Sequence, residues 1–171
     1  MVKFQTFIPE LYITQTDTAR LERLRKFQLT FSEFEKLATL TTQLGVEFLS
    51  TPFDLESANF LNSIQNVFKI SSGDNNFWPL IDTVASFGKP IIASTGLTNL
   101  ESVRELSQRV LNIWKRESHN PWLALLHCVS SYPVPPEDAN IAVIRTLQQH
   151  FPHHHIGYSD HTLGNAAATL A

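Results

Sequence analysis

Residues Val67–Asp74 read VFKISSGD, and this stretch carries the pattern that decides the fold. Val67–Ser71 is a short apolar run with one lysine, Lys69, inside it, and such runs are typical of buried strands in parallel sheets. Small hydrogen-bonding residues and a glycine follow, which allows a tight turn at the carboxyl end of the strand. Because a buried ammonium needs an anion in place of its water, the segment predicts an anion pocket. The alternative is an edge strand whose lysine reaches solvent.

The same alternation of a short apolar strand with a helix runs six times through the chain. The predicted strands are Val2–Phe7, Val46–Phe53, Val67–Ser71, Pro90–Thr95, Trp122–Ser130 and Ile156–Ser159. The predicted helices cover residues 31–44, 55–64, 77–87, 99–115, 141–150 and 164–171, and residues 10–25 are polar and partly helical. Either Thr30 or Ser32 can cap the first of these helices. Strict alternation favours a parallel sheet covered by helices, as in barrels and doubly wound sheets.

Length and composition argue against several classes of protein. The 171 residues suffice for one domain with a sizeable core. A formal net charge of −3 gives no basic footprint for nucleic acid. The single cysteine, Cys128, allows no internal disulfide, and no apolar run approaches the length of a membrane span. The N-terminus shows no signal-peptide pattern. We therefore expect a cytoplasmic protein that has neither nucleic acid nor a membrane as its partner.

Polar residues collect where the predicted strands end. They are Thr51, Ser72, Asp74, Ser94, Thr95, Ser130, Ser159 and His161. Lys3 and Gln5 lie inside the first strand, as Lys69 lies inside the third. Parallel α/β proteins bind ligands at the carboxyl ends of their strands. Turn-rich strand ends explain the hydroxyls but not the lysines, so the pattern predicts a substrate that carries a phosphate, a carboxylate, or both.

Two further residues are candidates for this site. His161 shares a strand face with Ser159 by alternation, and an imidazole at a strand end can ligate a metal ion, although a single histidine is more often structural. The proline-rich loop Tyr132–Asn140 is too long for a minimal connection, and Tyr132 is its best ligand candidate.

Other reactive side chains are interpreted as structural. Cys128 lies in the middle of a strand and has no identifiable base beside it, so it is expected to pack in the core. The four histidines of one helix-to-strand connection are expected to form a solvated loop. They are His150, His153, His154 and His155.

Six stretches, taken together, resemble successive motifs of a known family. They are KFQTF (Lys3–Phe7), FLSTPFD (Phe48–Asp54), FKISSGD (Phe68–Asp74), KPIIASTG (Lys89–Gly96), LLHCVSSYPVPPEDAN (Leu125–Asn140) and IGYSDHTLG (Ile156–Gly164). The series is similar to that of the sialic acid (N-acetylneuraminate) synthases and of relatives that make legionaminic and pseudaminic acids. GYSDHT and the YPVPP loop are its most specific parts. The resemblance implies an α/β fold, an incomplete (β/α)8 TIM barrel with about six parallel strands alternating with helices.

The resemblance also implies a reaction, in which phosphoenolpyruvate condenses with an N-acetylated amino sugar such as N-acetylmannosamine. The products are a nonulosonic acid and phosphate. The implied phosphoenolpyruvate ligands are Lys3, Thr51, Lys69, Ser72, Ser94 and Ser159, with Ser130 at a position that is asparagine in some members. Gln5, Asp74 and Tyr132 would face the sugar. Lys3, Lys69 and Asp74 are the implied catalytic residues.

The resemblance further implies a divalent metal ion. Manganese is the expected ion, with magnesium and cobalt as alternatives, and His161 is the implied ligand. The ion would polarise the aldehyde of the open-chain sugar as a Lewis acid.

Compared with the family pattern, the chain covers barrel strands 2 to 7. The first strand with its glutamate, the eighth strand with a second metal-ligating histidine, and the C-terminal antifreeze-like domain would be absent. We therefore expect little or no synthase activity from the chain alone, and a homodimer for the parent protein.

Two alternatives stay open at this point. One is a non-catalytic barrel fragment that at most binds phosphoenolpyruvate or sugar. The other is a different phosphoenolpyruvate-dependent aldose condensation, such as those that make octulosonate or heptulosonate phosphates. A second phosphate on the sugar would require arginines at the strand ends.

Overall fold

A computed structural model describes all residues, Met1–Ala171. The strands are β1 (Val2–Thr6), β2 (Phe48–Pro52), β3 (Phe68–Ile70), β4 (Ile91–Ser94), β5 (Leu123–Cys128) and β6 (His155–Ser159). The helices are α1 (Pro9–Tyr12), α2 (Thr18–Phe27), α3 (Phe31–Gln43), α4 (Leu55–Leu61), α5 (Trp78–Ser86), α6 (Leu100–Arg116), α7 (Val143–His150) and α8 (Ala166–Leu170). Short 3-10 helices form at Ser72–Asp74 and Pro136–Asp138.

The strands form two open sheets. One contains β1 and β2, and the other has the strand order β3-β4-β5-β6. The pairs β1–β2, β4–β5 and β5–β6 are parallel, and helices connect successive strands. The predicted α/β fold with parallel strands alternating with helices is confirmed. The chain divides into two compact units, Met1–Lys69 and Ile70–Ala171.

The first unit is built on the alternation of side chains along β1. Phe4 stacks on Phe48 at a ring distance of 5.5 Å and meets the edge of Phe34 on α3.

The Gln65 side chain, which is buried, accepts a hydrogen bond from the Ser50 N–H at 2.7 Å and donates one to the Ser50 carbonyl at 3.1 Å. This amide therefore satisfies the β2 backbone as a neighbouring strand would.

The second unit has its core between its sheet and helices α5 and α6. Leu80, Ile81 and Val84 line one buried face of α5. The indole N–H of Trp114 on α6 donates to the carbonyl of Ala85 at 3.1 Å, so the two helices are joined by a buried hydrogen bond as well as by apolar packing.

The structure corrects several predicted element boundaries. Helix α3 is capped by Thr30 and not by Ser32, because Thr30 and Glu33 form a reciprocal capping box. Gly45, at φ 66°, ends that helix, and the Val46 N–H bonds back to the carbonyl of Thr41. Val46 therefore belongs to the helix C-cap, which explains why β2 starts later than predicted.

Helix α4 is shorter than predicted. It ends at Leu61, and the N–H groups of Ser63, Ile64 and Gln65 turn back onto the carbonyls of Phe60 and Leu61. The polar stretch that was predicted to be partly helical forms α1 and α2.

Candidate functional site

Two serine hydroxyls meet at one glycine in the second unit. Ser72 follows β3, Gly96 follows β4 and Ser130 follows β5. The Gly96 N–H donates to Ser72 Oγ at 3.1 Å. A Cβ atom on Gly96 would lie only 2.6 Å from Ser130 Oγ and 2.8 Å from Ser72 Oγ. We call Ser72, Gly96 and Ser130 the glycine-serine cluster.

The hydrogen bonding of the cluster leaves both hydroxyls able to donate to a ligand. Ser72 Oγ already accepts the Gly96 N–H, so its own proton is available. Ser130 Oγ is buried and has no partner in the protein. A buried hydroxyl without a partner costs about 1–3 kcal/mol, which a bound anion or water would offset. This arrangement fits an anion-binding subsite.

A buried asparagine holds the backbone of this cluster in place. Asn75 Nδ2 donates to the Gly96 carbonyl at 2.8 Å and to the Ser94 carbonyl at 3.4 Å. Ser94, the last residue of β4, is itself buried. The end of β4 is thereby fixed to the turn after β3. Asn75 was not predicted as a site residue, since nothing in the sequence marks an asparagine after a glycine turn as buried.

Asp74 ends the 3-10 turn that follows β3 and is half-buried. Ser71 Oγ donates to Asp74 Oδ2 at 2.5 Å. Burial raises the pKa of the Asp74 carboxyl, and the Ser71 hydrogen bond opposes that rise. Asp74 therefore presents a carboxylate at the same strand end that supplies Ser72.

Tyr132 and His161 lie against one another, with ring centroids 4.2 Å apart. The loop that carries Tyr132 is tied to the segment after β6, because the Val134 N–H donates to the His161 carbonyl and Val134 forms a parallel bridge with Thr162. Tyr132 is 75% exposed, so most of its ring is available to a ligand. Ser159 ends β6 beside them and is half-buried.

His161 can serve as a metal ligand through one nitrogen. Its Nδ1 lies 2.9 Å from the carbonyl of Val129. A carbonyl only accepts, so Nδ1 carries the proton and Nε2 keeps its lone pair.

Cys128 is buried, as predicted, and its sulfur lies 3.9 Å from Nδ1 of His161. No group of three or more His, Cys, Asp or Glu residues in the chain is placed to hold an ion, so His161 supplies one ligand of a metal site at most.

In the first unit, the structure brings together Gln5 and Thr51. They are partners in the parallel register of β1 and β2. Gln5 and Lys3 are exposed on β1, whereas Thr51 is buried and its Oγ1 has no hydrogen-bond partner. Lys69 is half-buried on β3, an edge strand of its sheet.

The prediction of a solvated histidine loop is wrong for His154. Its Nε2 lies 2.7 Å from Ser107 Oγ on α6, and burial of the ring lowers its pKa. The connection between α7 and β6 therefore places the His154 imidazole in contact with α6. Sequence spacing does not reveal this contact.

Comparison with known proteins places the chain in a family. The model of the NeuB family matches residues 1–171. The chain belongs to the NeuB family. It is 35% identical over 184 aligned residues to the N,N'-diacetyllegionaminic acid synthase of Legionella pneumophila, covering 99% of this chain and 51% of that protein. It is 32% identical to the N-acetylneuraminate-9-phosphate synthase of Mus musculus, covering 88% of this chain and 40% of that protein.

A solved structure agrees with this family membership. The N-acetylneuraminic acid synthetase of Leptospira borgpetersenii, crystallised with citrate, matches with a TM-score of 0.87 and 30% identity, over 98% of this chain and 56% of that one. This NeuB-family chain spans about half the length of the curated relatives it matches. The resemblance to sialic acid synthases is therefore confirmed at the level of family and fold. None of the helices combines the length and the hydrophobicity that a membrane span requires.

Proposed function

We propose that the whole protein condenses phosphoenolpyruvate with an N-acetylated amino sugar, giving a nonulosonic acid and phosphate. The glycine-serine cluster supports this proposal most directly, since it offers two hydroxyl donors at adjoining strand ends. Relatives named as legionaminic acid and N-acetylneuraminate-9-phosphate synthases support the product class.

We assign the phosphoenolpyruvate anion to the cluster. Ser72 and Ser130 would donate their hydroxyl protons to phosphate or carboxylate oxygens, and the buried Ser130 would gain the partner that it lacks in the protein. Ser94 and Ser159 end the strands on either side of β5 and keep their proposed roles. In the first unit, Lys3, Thr51 and Lys69 keep the phosphoenolpyruvate roles that the family resemblance implies.

We assign the sugar to Asp74 and Tyr132 of the second unit, and Gln5 keeps the sugar-facing role that the family resemblance implies. The Asp74 carboxylate would accept hydrogen bonds from sugar hydroxyl or amide groups, and the exposed Tyr132 ring would offer an amphipathic surface. These residue types suit a polar, acetylated sugar better than a flat apolar ligand.

The proposed chemistry makes a carbon–carbon bond and a carbon–oxygen bond to water, and it breaks the carbon–oxygen bond to phosphate. C3 of phosphoenolpyruvate bonds to the aldehyde carbon of the open-chain sugar, water adds at C2, and the C2–O bond breaks to release phosphate. A divalent metal ion at His161 Nε2, for which we expect manganese, would polarise the aldehyde oxygen. Its other ligands would come from water, substrate or further segments of the whole protein.

The placement of the arginines disfavours the octulosonate and heptulosonate alternative. All of them lie on helices α2, α6 and α7, and none lies at a strand end; they are Arg20, Arg23, Arg25, Arg104, Arg109, Arg116 and Arg145. A heptulosonate-phosphate synthase of Thermotoga maritima matches with a TM-score of 0.63 at 12% identity, which shows a shared fold alone.

The experiment is a condensation assay on the purified whole protein with manganese. Phosphoenolpyruvate is combined with a panel of N-acetylated amino sugars, with and without a phosphate group, and released phosphate and product mass are measured. We expect phosphate release that needs both substrates, and a nine-carbon acid from a six-carbon sugar. Absence of phosphate release with every sugar would contradict the proposal.

Two variants link the activity to the cluster. Ser72→Ala and Ser130→Ala should each raise the KM for phosphoenolpyruvate. Ser86→Ala removes an exposed hydroxyl that bonds only to the Thr83 carbonyl of α5, and it should leave that KM unchanged. Thermal stabilisation by phosphoenolpyruvate without turnover would instead favour the binding-only alternative. The homodimer and the cytoplasmic location stay predictions.

A further inference from the structure

We propose that Ser71 is a positioning residue that fixes the Asp74 carboxylate so that its Oδ1 is presented to the amino sugar. This inference rests on the proposed function, because it concerns how the sugar-facing carboxylate is held. It goes beyond the assignments above, in which Ser71 has no part.

The backbone places the two residues face to face. Ser71 directly precedes the 3-10 turn Ser72–Asp74 without a side-chain capping hydrogen bond, and its carbonyl accepts the Asp74 N–H at 3.1 Å. The Asp74 carbonyl accepts the N–H of Phe77 at 2.9 Å, just before α5 begins. Both backbone groups of Asp74 are therefore hydrogen-bonded. The orientation of the side chain depends on a further contact.

The Ser71 hydroxyl fixes that orientation. Its Oγ donates to Asp74 Oδ2 at 2.5 Å, a hydrogen bond that stabilises the ionised carboxylate. Oδ2 thus accepts the Ser71 hydrogen bond, which leaves Oδ1 to accept from a ligand. A carboxylate with one oxygen held and the other open accepts a ligand N–H or O–H in a defined direction.

No salt bridge supports the Asp74 carboxylate. Neither Arg, Lys nor His forms a salt bridge with Asp74; the ion pairs of the chain involve Glu10, Asp82 and Glu117. Burial favours the protonated acid, and the Ser71 hydrogen bond opposes this by stabilising the ionised form. Ser71 therefore influences both the direction and the charge of the group that would meet the sugar.

A glycine neighbour leaves room for this arrangement. A Cβ atom on Gly73 would meet only Ser71 Oγ, at the ordinary contact distance of 3.7 Å. The Ser71 hydroxyl is therefore uncrowded on the side of Gly73.

The first measurement follows the titration of Asp74 by carboxyl-carbon NMR in the 171-residue chain. We compare the wild type with Ser71→Ala, Ser71→Thr and the control Ser86→Ala, whose lost hydroxyl bonds to the Thr83 carbonyl in the same unit. We expect Ser71→Ala to raise the pH midpoint of the Asp74 titration. Ser71→Thr and Ser86→Ala should keep that midpoint near the wild-type value. An unchanged midpoint in a folded Ser71→Ala chain overturns the proposal.

If Ser71→Ala fails to fold, the comparison of Ser71→Thr with Ser71→Val replaces it, because these two side chains have nearly the same shape and differ in the hydroxyl. Threonine should keep the midpoint and valine should raise it. Equal midpoints in the two variants overturn the proposal.

The second measurement uses the whole protein. Ser71→Ala should raise the KM for the sugar by about tenfold, which corresponds to one hydrogen bond to a charged group, and leave the KM for phosphoenolpyruvate unchanged. A raised Asp74 midpoint without any change in the sugar KM overturns the positioning role. A wild-type protein without turnover contradicts the proposed function instead, and the NMR titration then decides the role of Ser71 by itself.

Discussion

At the scale of single residues, Gly96 leaves no room for a side chain between the hydroxyls of Ser72 and Ser130. The Gly96→Ala change would drive a methyl group into Ser72 Oγ and Ser130 Oγ, at 2.8 and 2.6 Å. We expect this variant to lose most of its stabilisation by phosphoenolpyruvate in a thermal-shift titration, since both hydroxyls must move. Gly73→Ala is the matched control, because its methyl group would meet only Ser71 Oγ at 3.7 Å. Equal loss in the two variants would contradict the cluster as an anion subsite.

The charge of Asp74 predicts a dependence of stability on pH. Because burial raises its pKa, the folded state binds the Asp74 proton more tightly than the unfolded state does. The resulting contribution to stability is present below the unfolded pKa of about 3.9 and is lost as pH rises through the folded pKa. Asp74→Asn should therefore raise the free energy of unfolding at pH 7 relative to the wild type.

That gain should shrink at acidic pH, where the carboxyl is mostly neutral in both states. Urea unfolding of the two proteins at pH 7 and near pH 3.5 checks this expectation. An Asp74→Asn variant that is destabilised equally at both pH values would show that burial of the charge is not the dominant effect.

At the scale of elements, helix α3 depends on its capping box. Thr30→Ala removes the hydroxyl that accepts the Glu33 N–H and donates to Glu33 Oε2. Loss of such a cap costs about 1 kcal/mol of unfolding free energy. Ser32→Ala is the control, because Ser32 is exposed in the first turn and should change stability by a few tenths of a kcal/mol. Denaturant unfolding measures the free energy of unfolding of both variants. A larger loss of that free energy for Ser32→Ala than for Thr30→Ala would contradict the role of Thr30 as the cap.

Strand β2 depends on the buried amide of Gln65. Gln65→Met keeps the length of the side chain and removes both hydrogen bonds to Ser50. The Ser50 N–H would then be buried without that partner, which costs about 1–3 kcal/mol. Asn66→Ser alters the exposed neighbour and should have little effect. A thermal unfolding midpoint for Gln65→Met close to that of wild type would contradict this role.

The elements also show what could be predicted from sequence. The order of strands and helices follows from apolar periodicity and from Gly45 and Gly88 at positive φ, which are local signals. Boundaries were less predictable, because Val46 joins the C-cap of α3 through a hydrogen bond to Thr41. The contact of His154 with Ser107 depends on packing between distant segments and leaves no local signal.

At the scale of the whole molecule, the residue types of the site were predictable but their connections were not. Polar residues after each strand predicted that Ser72 and Ser130 would lie at strand ends, because parallel strands share a carboxyl edge. Their convergence on Gly96 and the clamp formed by Asn75 require the register and twist of neighbouring strands. Family motifs supplied the proposed substrates, which charge and hydroxyl patterns alone leave undefined.

The most direct test of the account is an amide NMR titration of the 171-residue chain with phosphoenolpyruvate. We predict saturable shifts that are largest at the N–H groups of Ser72, Gly96 and Ser130, and that weaken in Ser130→Ala but not in Ser86→Ala. Shifts that instead centre on the arginine-bearing helix α6, or the absence of saturable shifts in a folded chain, would contradict the proposal that these strand ends bind phosphoenolpyruvate.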